Sequence, residues 1–236
     1  MQNKMFSEII NSVPFLLLLT LGAYIFGVWV RTRSHIAMLN PMLIAIPIII
    51  AVLLVFDIEP SHYIESNRLI TFMLGPCVVA LGLTLYDHRV MIVRNLAAIA
   101  TAVVVGSVVG VVSVVLMCRW LNLDALFEVS MAAKSVTLPI ALDISQPLGG
   151  NAAITAVSVA VCGLFGGIVG PSLLRLLGIR NPVAVGAAMG SASHGIGTAR
   201  AIEEGAVQGA VSGLCMGLMG VATAVVAPLL MQWLAR

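Results

Sequence analysis

Six long apolar runs occupy most of this 236-residue chain: Val13 to Val30, Asn40 to Phe56, Leu69 to Tyr86, Leu96 to Cys118, Ala152 to Leu177, and Ala206 to Leu234. A hydrocarbon layer about 30 Å thick is crossed by about 20 helical residues, so each run is near the length of a membrane span. Lipid offers no partner to backbone N–H and C=O groups, so such runs must close their hydrogen bonds internally, as helices do. Composition removes the soluble alternative. Charged residues make up 9% of the chain and hydrophobic ones 60%, against about 25% charged in soluble domains. The expectation is an all-α polytopic membrane protein.

Charge and motifs exclude several functions. The net charge is +2 and the twelve Lys and Arg are scattered singly or in pairs, with no stripe that could track a phosphate backbone, so nucleic acid is not an expected partner. Cys77, Cys118, Cys162 and Cys215 each sit in apolar sequence without CxxC or Cys/His spacing. They read as small packing residues, and neither a metal nor a cofactor is expected. HExxH, GxxxxGK[ST], GxSxG and a GxGxxG after a strand are all missing, so an enzymatic activity, ATP hydrolysis included, is not expected.

Two further segments, Met131 to Ser145 and Val183 to Arg200, are too polar and too interrupted to be plain spans. Arg31 and Arg33 follow the first run, whereas Lys4 before it is offset by Glu8; this order predicts an uncleaved anchor with its first connection in the cytoplasm. Arg89 and Arg94 then fall on the cytoplasmic side, and Arg175 and Arg180 do so only if Met131 to Ser145 enters and leaves on one side. We therefore expect a re-entrant hairpin from the outside at Met131 to Ser145 and one from the cytoplasm at Val183 to Arg200.

An internal repeat agrees without using charge. A shift of 57 pairs Ala153 with Ala210, Gly163 with Gly220, Pro171 with Pro228, Leu173 with Leu230 and Leu177 with Leu234; a one-residue gap pairs Ala141 with Ala199 and Ile144 with Ile202. Each copy is a polar hairpin followed by a span, so successive copies have opposite orientation, as in the inverted repeats of secondary transporters. The expected layout is a single transmembrane domain. It has four N-terminal helices over 13–118 and an inverted hairpin-plus-helix repeat over 131–177 and 183–234, about six full spans and two discontinuous hairpins in all.

The hairpins carry the candidate chemistry. The first contains Lys134, Ser135, Thr137, Pro139 and Asp143. A charge at membrane depth needs a partner, and a proline-broken helix leaves carbonyls free. Two readings stand side by side: Lys134, Ser135 and Thr137 bind an anion, or Lys134 snorkels to the interface or pairs with Asp143. The second contains Ser193, His194, Thr198 and Arg200 among glycines, followed by Glu203 and Glu204. His194 suits either substrate binding and proton coupling, or a neutral imidazole bonded to a carbonyl. Arg200 with Glu204 has the i,i+4 spacing of an ordinary helix pair, which is also the plainer reading of both glutamates; Asp143, Glu203 and Glu204 remain candidate coupling residues beside His194. The glycines four apart, such as Gly106 with Gly110, read as faces where helices pack closely.

The stretches Lys134-Ser135-Val136-Thr137-Leu138-Pro139-Ile140-Ala141 and His194-Gly195-Ile196-Gly197-Thr198-Ala199-Arg200, with Glu203-Glu204-Gly205, Leu74-Gly75-Pro76, Leu148-Gly149-Gly150 and Gly170-Pro171, resemble the LrgB/CidB family, including its YohK-type bacterial inner-membrane members. The resemblance runs from about Ile36 onward. It implies either holin-like or antiholin-like regulation of murein hydrolase export and autolysis, or transport. A chloroplast member fused to an LrgA-like domain exchanges glycolate and glycerate, and some bacterial pairs are linked to pyruvate uptake. Carried onto this chain, the motifs imply Lys134, Ser135, Thr137, His194, Thr198 and Arg200 as the site for a small carboxylate, to which the residue reading adds Ser193. These residues contain no LrgA-like half or plastid transit peptide, so the resemblance implies a separate small LrgA-like partner, a possible homo-oligomer, and the bacterial cytoplasmic membrane.

Overall fold

The fold was obtained as a computed structural model, which describes residues 8–34 and 40–234. Lys4 and residues 35–39 of the first connection, on which part of the orientation argument falls, lie outside the described residues. The described chain is helical and contains no strand. It divides into two compact units, Met1–Ala80 and Leu81–Arg236.

In the first unit, α1 (Val13–Ser34) packs beside α2 (Pro41–Val55). The contact is close because Gly27 has no side chain: a methyl there would lie 3.1 Å from the Cα of Pro41. Asn40 starts α2 by accepting the Met42 N–H (2.9 Å), with Pro41 at the first helical position, where its missing N–H costs nothing. The short α3 (Pro60–Ser66) returns to α1. Ile10, Leu16 and Ile58 are buried together there, and Tyr63 Oη meets Thr20 Oγ1 at 2.7 Å. With 15 residues, α2 measures about 22 Å and falls short of the hydrocarbon layer. Among the described residues, five helices are long and apolar enough to cross a membrane: α1, α4 (Arg68–Asp87), α6 (Leu96–Trp120), α9 (Ala152–Leu176) and α11 (Ala206–Leu234). The protein is an all-α multi-pass membrane protein, with one of the six expected spans too short by length. The boundary between units falls within α4, a helix that runs through Gly75 and Pro76.

The second unit begins with the end of α4 and the short α5 (Arg89–Arg94). Here the fourth expected span, α6, packs with the hairpin segments and α11, so the contacts do not group it with the first three. The segment expected as a first hairpin is built from α7 (Ala125–Met131) and α8 (Leu138–Ser145), separated by an elbow at residues 132–137. Thr137 is extended before α8, and Pro139 lies in the first turn, the position a helix tolerates. Both limbs return to the start of α9: Asn151 N–H donates to Ser130 Oγ (2.8 Å), and Thr155 Oγ1 bonds Ser145 Oγ (2.9 Å). Asn151 also caps α9 by accepting N–H bonds from Ala153 and Ile154.

The second expected hairpin is α10 (Pro182–Glu204), whose helical dihedrals fail at Ser193 (φ −133°, ψ 16°) and His194 (φ 40°, ψ −135°). The chain reverses there. A methyl on Gly197 would lie 2.6 Å from the Met189 carbonyl oxygen, although eight residues of continuous helix would separate the two by about 12 Å. Contacts with α11 show the same fold-back: Gly186 lies against Gln208 and Gly190 against Ser212, and on the return limb Thr198 bonds Ser212 and Ile202 lies against Gly209.

Candidate functional site

The two elbows meet. Hairpin 1 has its base beside the end of α6, where Glu128 bonds Arg119, and beside the start of α9. Hairpin 2 has its base at the other end of α9, where Glu204 pairs with Arg175 at 3.5 Å. The hairpins therefore enter the bundle from opposite ends. On α6, a methyl at Gly110 would lie 3.6 Å from Ser135 Oγ of the first elbow, and one at Gly106 would lie 3.6 Å from Ser191 Cβ beside the second. Four residues are about 6 Å of helix, so both elbows reach the middle of α6 within about one turn. These two glycines thus admit the elbows, where the sequence suggested a helix-packing face.

The middle of α9 completes the junction. Lys134 Nζ donates to the Gly110 carbonyl (3.2 Å), and Lys134 and Ser135 both approach the Cys162 thiol. From the other elbow, the Ala192 carbonyl accepts from Cys162 Sγ (3.3 Å), and the His194 imidazole bonds the Val159 carbonyl through Nε2 (3.0 Å). Gly163 and Gly166 face His194 and Ser193. Ser193 and His194 are buried, at 1% and 6% exposure. The positive φ of His194 is a conformation that favours glycine and costs a non-glycine residue about 1–3 kcal/mol. It is held by the Val159 bond and by Thr198 Oγ1, which donates to the His194 carbonyl (2.9 Å). This arrangement matches the carbonyl-bonded reading of His194.

Lys134, Ser135, Ser193 and His194 are brought together; the other sequence candidates are not. Thr198 is buried on the α11 side, bonded to Ser212 Oγ at 2.9 Å. Thr137 is half-buried at the start of α8 and makes no side-chain cap bond. Arg200 sits near the base of hairpin 2, bonded to Glu203 and, at 2.7 Å, to Glu204, which joins it to Arg175. The expectation that Lys134 and Arg200 act together is not met by this arrangement, because Arg200 is neutralised by its own helix. Asp143 is exposed on the outer limb and forms no ion pair with Lys134 among the described residues.

Sequence reasoning passed over Cys162 and the Gly110 carbonyl. The usable signal is spacing: Val159, Cys162, Gly163 and Gly166 fall at i, i+3, i+4 and i+7 and share one face of α9. A cavity of about 870 Å³ opens along that helix, with Lys134, Cys162 and Ser193 on its wall. No group of three or more metal-binding side chains occurs among the described residues.

Residues 20–233 match the LrgB-like family. The chain belongs to the LrgB family. This LrgB-family chain is 35% identical over 219 residues to the uncharacterized protein YxaC of Bacillus subtilis, covering 93% of this chain and 95% of YxaC. Against YwbG, an uncharacterized protein of the same organism, it is 32% identical over 218 residues, 92% of this chain and 97% of that one. The holin-like protein CidB of Staphylococcus epidermidis is 34% identical to it over 215 residues, 91% of this chain and 94% of CidB. No solved structure matches the LrgB-family chain.

Proposed function

We propose that this multi-pass membrane protein is a secondary carrier of small monocarboxylates of the pyruvate, glycolate or glycerate class, working by alternating access in the bacterial inner membrane. One observation carries the reading: two broken segments enter from opposite ends and meet about one α6 turn apart, with Lys134 at the junction. Non-helical backbone at membrane depth is tolerated where it lines a cavity, and a site between opposed repeats is the arrangement that rocking transporters use. In this reading Lys134 is the anion's counter-charge, Ser135 and Ser193 flank it, and His194 positions the second elbow. No bond is made or broken, and no cofactor takes part. Arg200, Glu203, Glu204 and Asp143 lie outside the junction and have no direct contact with the substrate. A small LrgA-like membrane protein is the proposed partner.

Uptake of labelled pyruvate, glycolate and glycerate into proteoliposomes tests the proposal. Saturable uptake that falls at least about tenfold in Lys134→Gln, the loss of about 1.4 kcal/mol of binding, is expected. Saturable uptake undiminished by that substitution would overturn the site. The name holin-like borne by CidB supports a second reading, control of murein hydrolase release by a self-associating membrane protein. Release of a large entrapped dye, without saturation or preference among solutes, would favour that reading.

A further inference from the structure

The cavity beside Lys134 is far larger than a two- or three-carbon acid needs. At about 870 Å³ it is near the top of the range, about 300–1,000 Å³, of sites that take drug-sized ligands. Among the described residues, Lys134 is the single charged one on its wall. Beyond Cys162 the wall is apolar apart from Ser193, which packs on Gly166; it is formed along α9 by Phe165, Val169 and Leu173 and across from it by Ala188 and Met189 of hairpin 2. Eleven residues of helix separate Cys162 from Leu173, so this apolar stretch is about 16 Å long.

The ammonium has three N–H donors. One is directed to the Gly110 carbonyl at 3.2 Å, and no second partner is present among the described residues. Two donors remain for the two oxygens of one carboxylate. Phe165 and Leu173 are exposed on a membrane-length helix, where the surroundings are lipid, so a second carboxylate or a hydroxyl placed against them would find no hydrogen-bond partner; both are penalised.

From this geometry we infer that the Lys134 site selects monocarboxylates with an apolar tail of several carbons, the carboxylate on Lys134 and the tail along α9 toward Leu173. The inference rests on the Lys134 site of the carrier reading and goes beyond its named substrates: the acids favoured here carry an apolar, unhydroxylated substituent, unlike glycolate and glycerate.

Cys162 lies on the cavity wall and reports occupancy. Cys118 and Cys215 are buried and Cys77 is exposed, so the test uses full-length Cys77→Ser in nanodiscs of zwitterionic lipid. Thiol labelling of Cys162 is measured against straight-chain carboxylates from propionate to octanoate at neutral pH. The half-protecting concentration is expected to fall up to about fourfold per added CH₂, and octylamine and suberate to protect poorly. Lys134→Gln removes the protection and Lys134→Arg retains it. Val169→Trp, which places a bulky ring on the apolar stretch between Cys162 and Leu173, weakens octanoate and spares propionate. A series that does not steepen with chain length, equal protection by octylamine, or protection by anionic phospholipid in place of the acids would overturn the inference. Uptake of a three-carbon acid is measured in parallel. Saturable uptake with a flat series refutes the tail and leaves the carrier reading standing; a steep series without uptake refutes the carrier and leaves the tail standing.

Discussion

Replacing Gly190 by alanine tests the way hairpin 2 is seated. The added methyl would lie 2.8 Å from both Cα and C of Ser212 and would press on the Ser212 carbonyl oxygen. Carbon atoms rest about 3.5–4.0 Å apart, so the first limb of α10 and α11 must separate by roughly 1 Å. The opposing atoms are backbone in a continuous helix and have no rotamer to adopt. Overpacking of this kind costs about 1–3 kcal/mol, and with no side chain able to yield we take about 3 kcal/mol. Alanine recovers about 1 kcal/mol of helix propensity over glycine. The net loss is about 2 kcal/mol, or about 4–8 °C in Tm at about 2–4 °C per kcal/mol for a unit of this size.

Gly217→Ala is the control. It lies on α11 with nothing within 4 Å of the added methyl, so it gains the propensity without the collision and should melt at or slightly above the parent temperature. Both variants would be heated in detergent and the surviving monodisperse fraction followed by size-exclusion chromatography. If the two melt together, Gly190 does not face the Ser212 backbone and the fold-back of α10 against α11 is wrong.

Three other outcomes follow from the same geometry. Arg119→Ala strands Glu128, which is 7% exposed, and frees the Leu234 carbonyl; it should cost about 2 kcal/mol, whereas Arg175→Ala breaks a more exposed pair and should cost at most about 1 kcal/mol. Equal thermal shifts would remove the clamp at the base of hairpin 1. His194→Ala keeps the positive φ and loses the Val159 bond, whereas His194→Gly loses the bond but relieves the backbone, so glycine should be the less destabilising by about 1 kcal/mol in thermal unfolding. Asp124→Cys and Arg180→Cys, at the bases of the two hairpins, should react with a membrane-impermeant thiol reagent from opposite faces of the membrane. Labelling from one face would refute the opposed entry.

The sequence was most readable where local chemistry decides the outcome. Apolar length located the long helices, whereas the capping of α2, α9 and α10 by the side-chain oxygens of Asn40, Asn151 and Asn181 emerged only in the structure. The polarity of Val183 to Arg200 separated that segment from ordinary spans. It did not locate the reversal, because glycines at 190, 195 and 197 all invite a turn while the break falls at Ser193 and His194. Contacts with Val159 and Thr198, distant in sequence or dependent on the reversal itself, hold it there. The same dependence misplaced Arg200. Six residues past the break, the return limb has carried it about 9 Å back toward the base, within reach of Glu203 and Glu204. Cys162 was overlooked because an unbroken apolar run conceals which of its faces meets an elbow.

Each hairpin also leans on the other copy's span. Ile140 of the first hairpin lies against Gly220 of α11, with 2.7 Å between its Cδ1 and a methyl placed there, and Ile196 of the second lies against Gly163 of α9 at 3.0 Å by the same measure. The two glycines are 57 positions apart, the shift found in the sequence. At both places the glycine admits a branched side chain that any larger residue would displace. The glycines correspond under the repeat but the side chains they receive do not, because the one-residue gap sets Ile140 against Thr198, and Gly163 also receives the His194 ring. The exchange of supports has a mechanical consequence. Because an elbow is seated partly by the span of the opposite copy, displacing one hairpin loads the span that follows the other. Coupled movement of this kind is what a carrier needs if its two ends are not to open together.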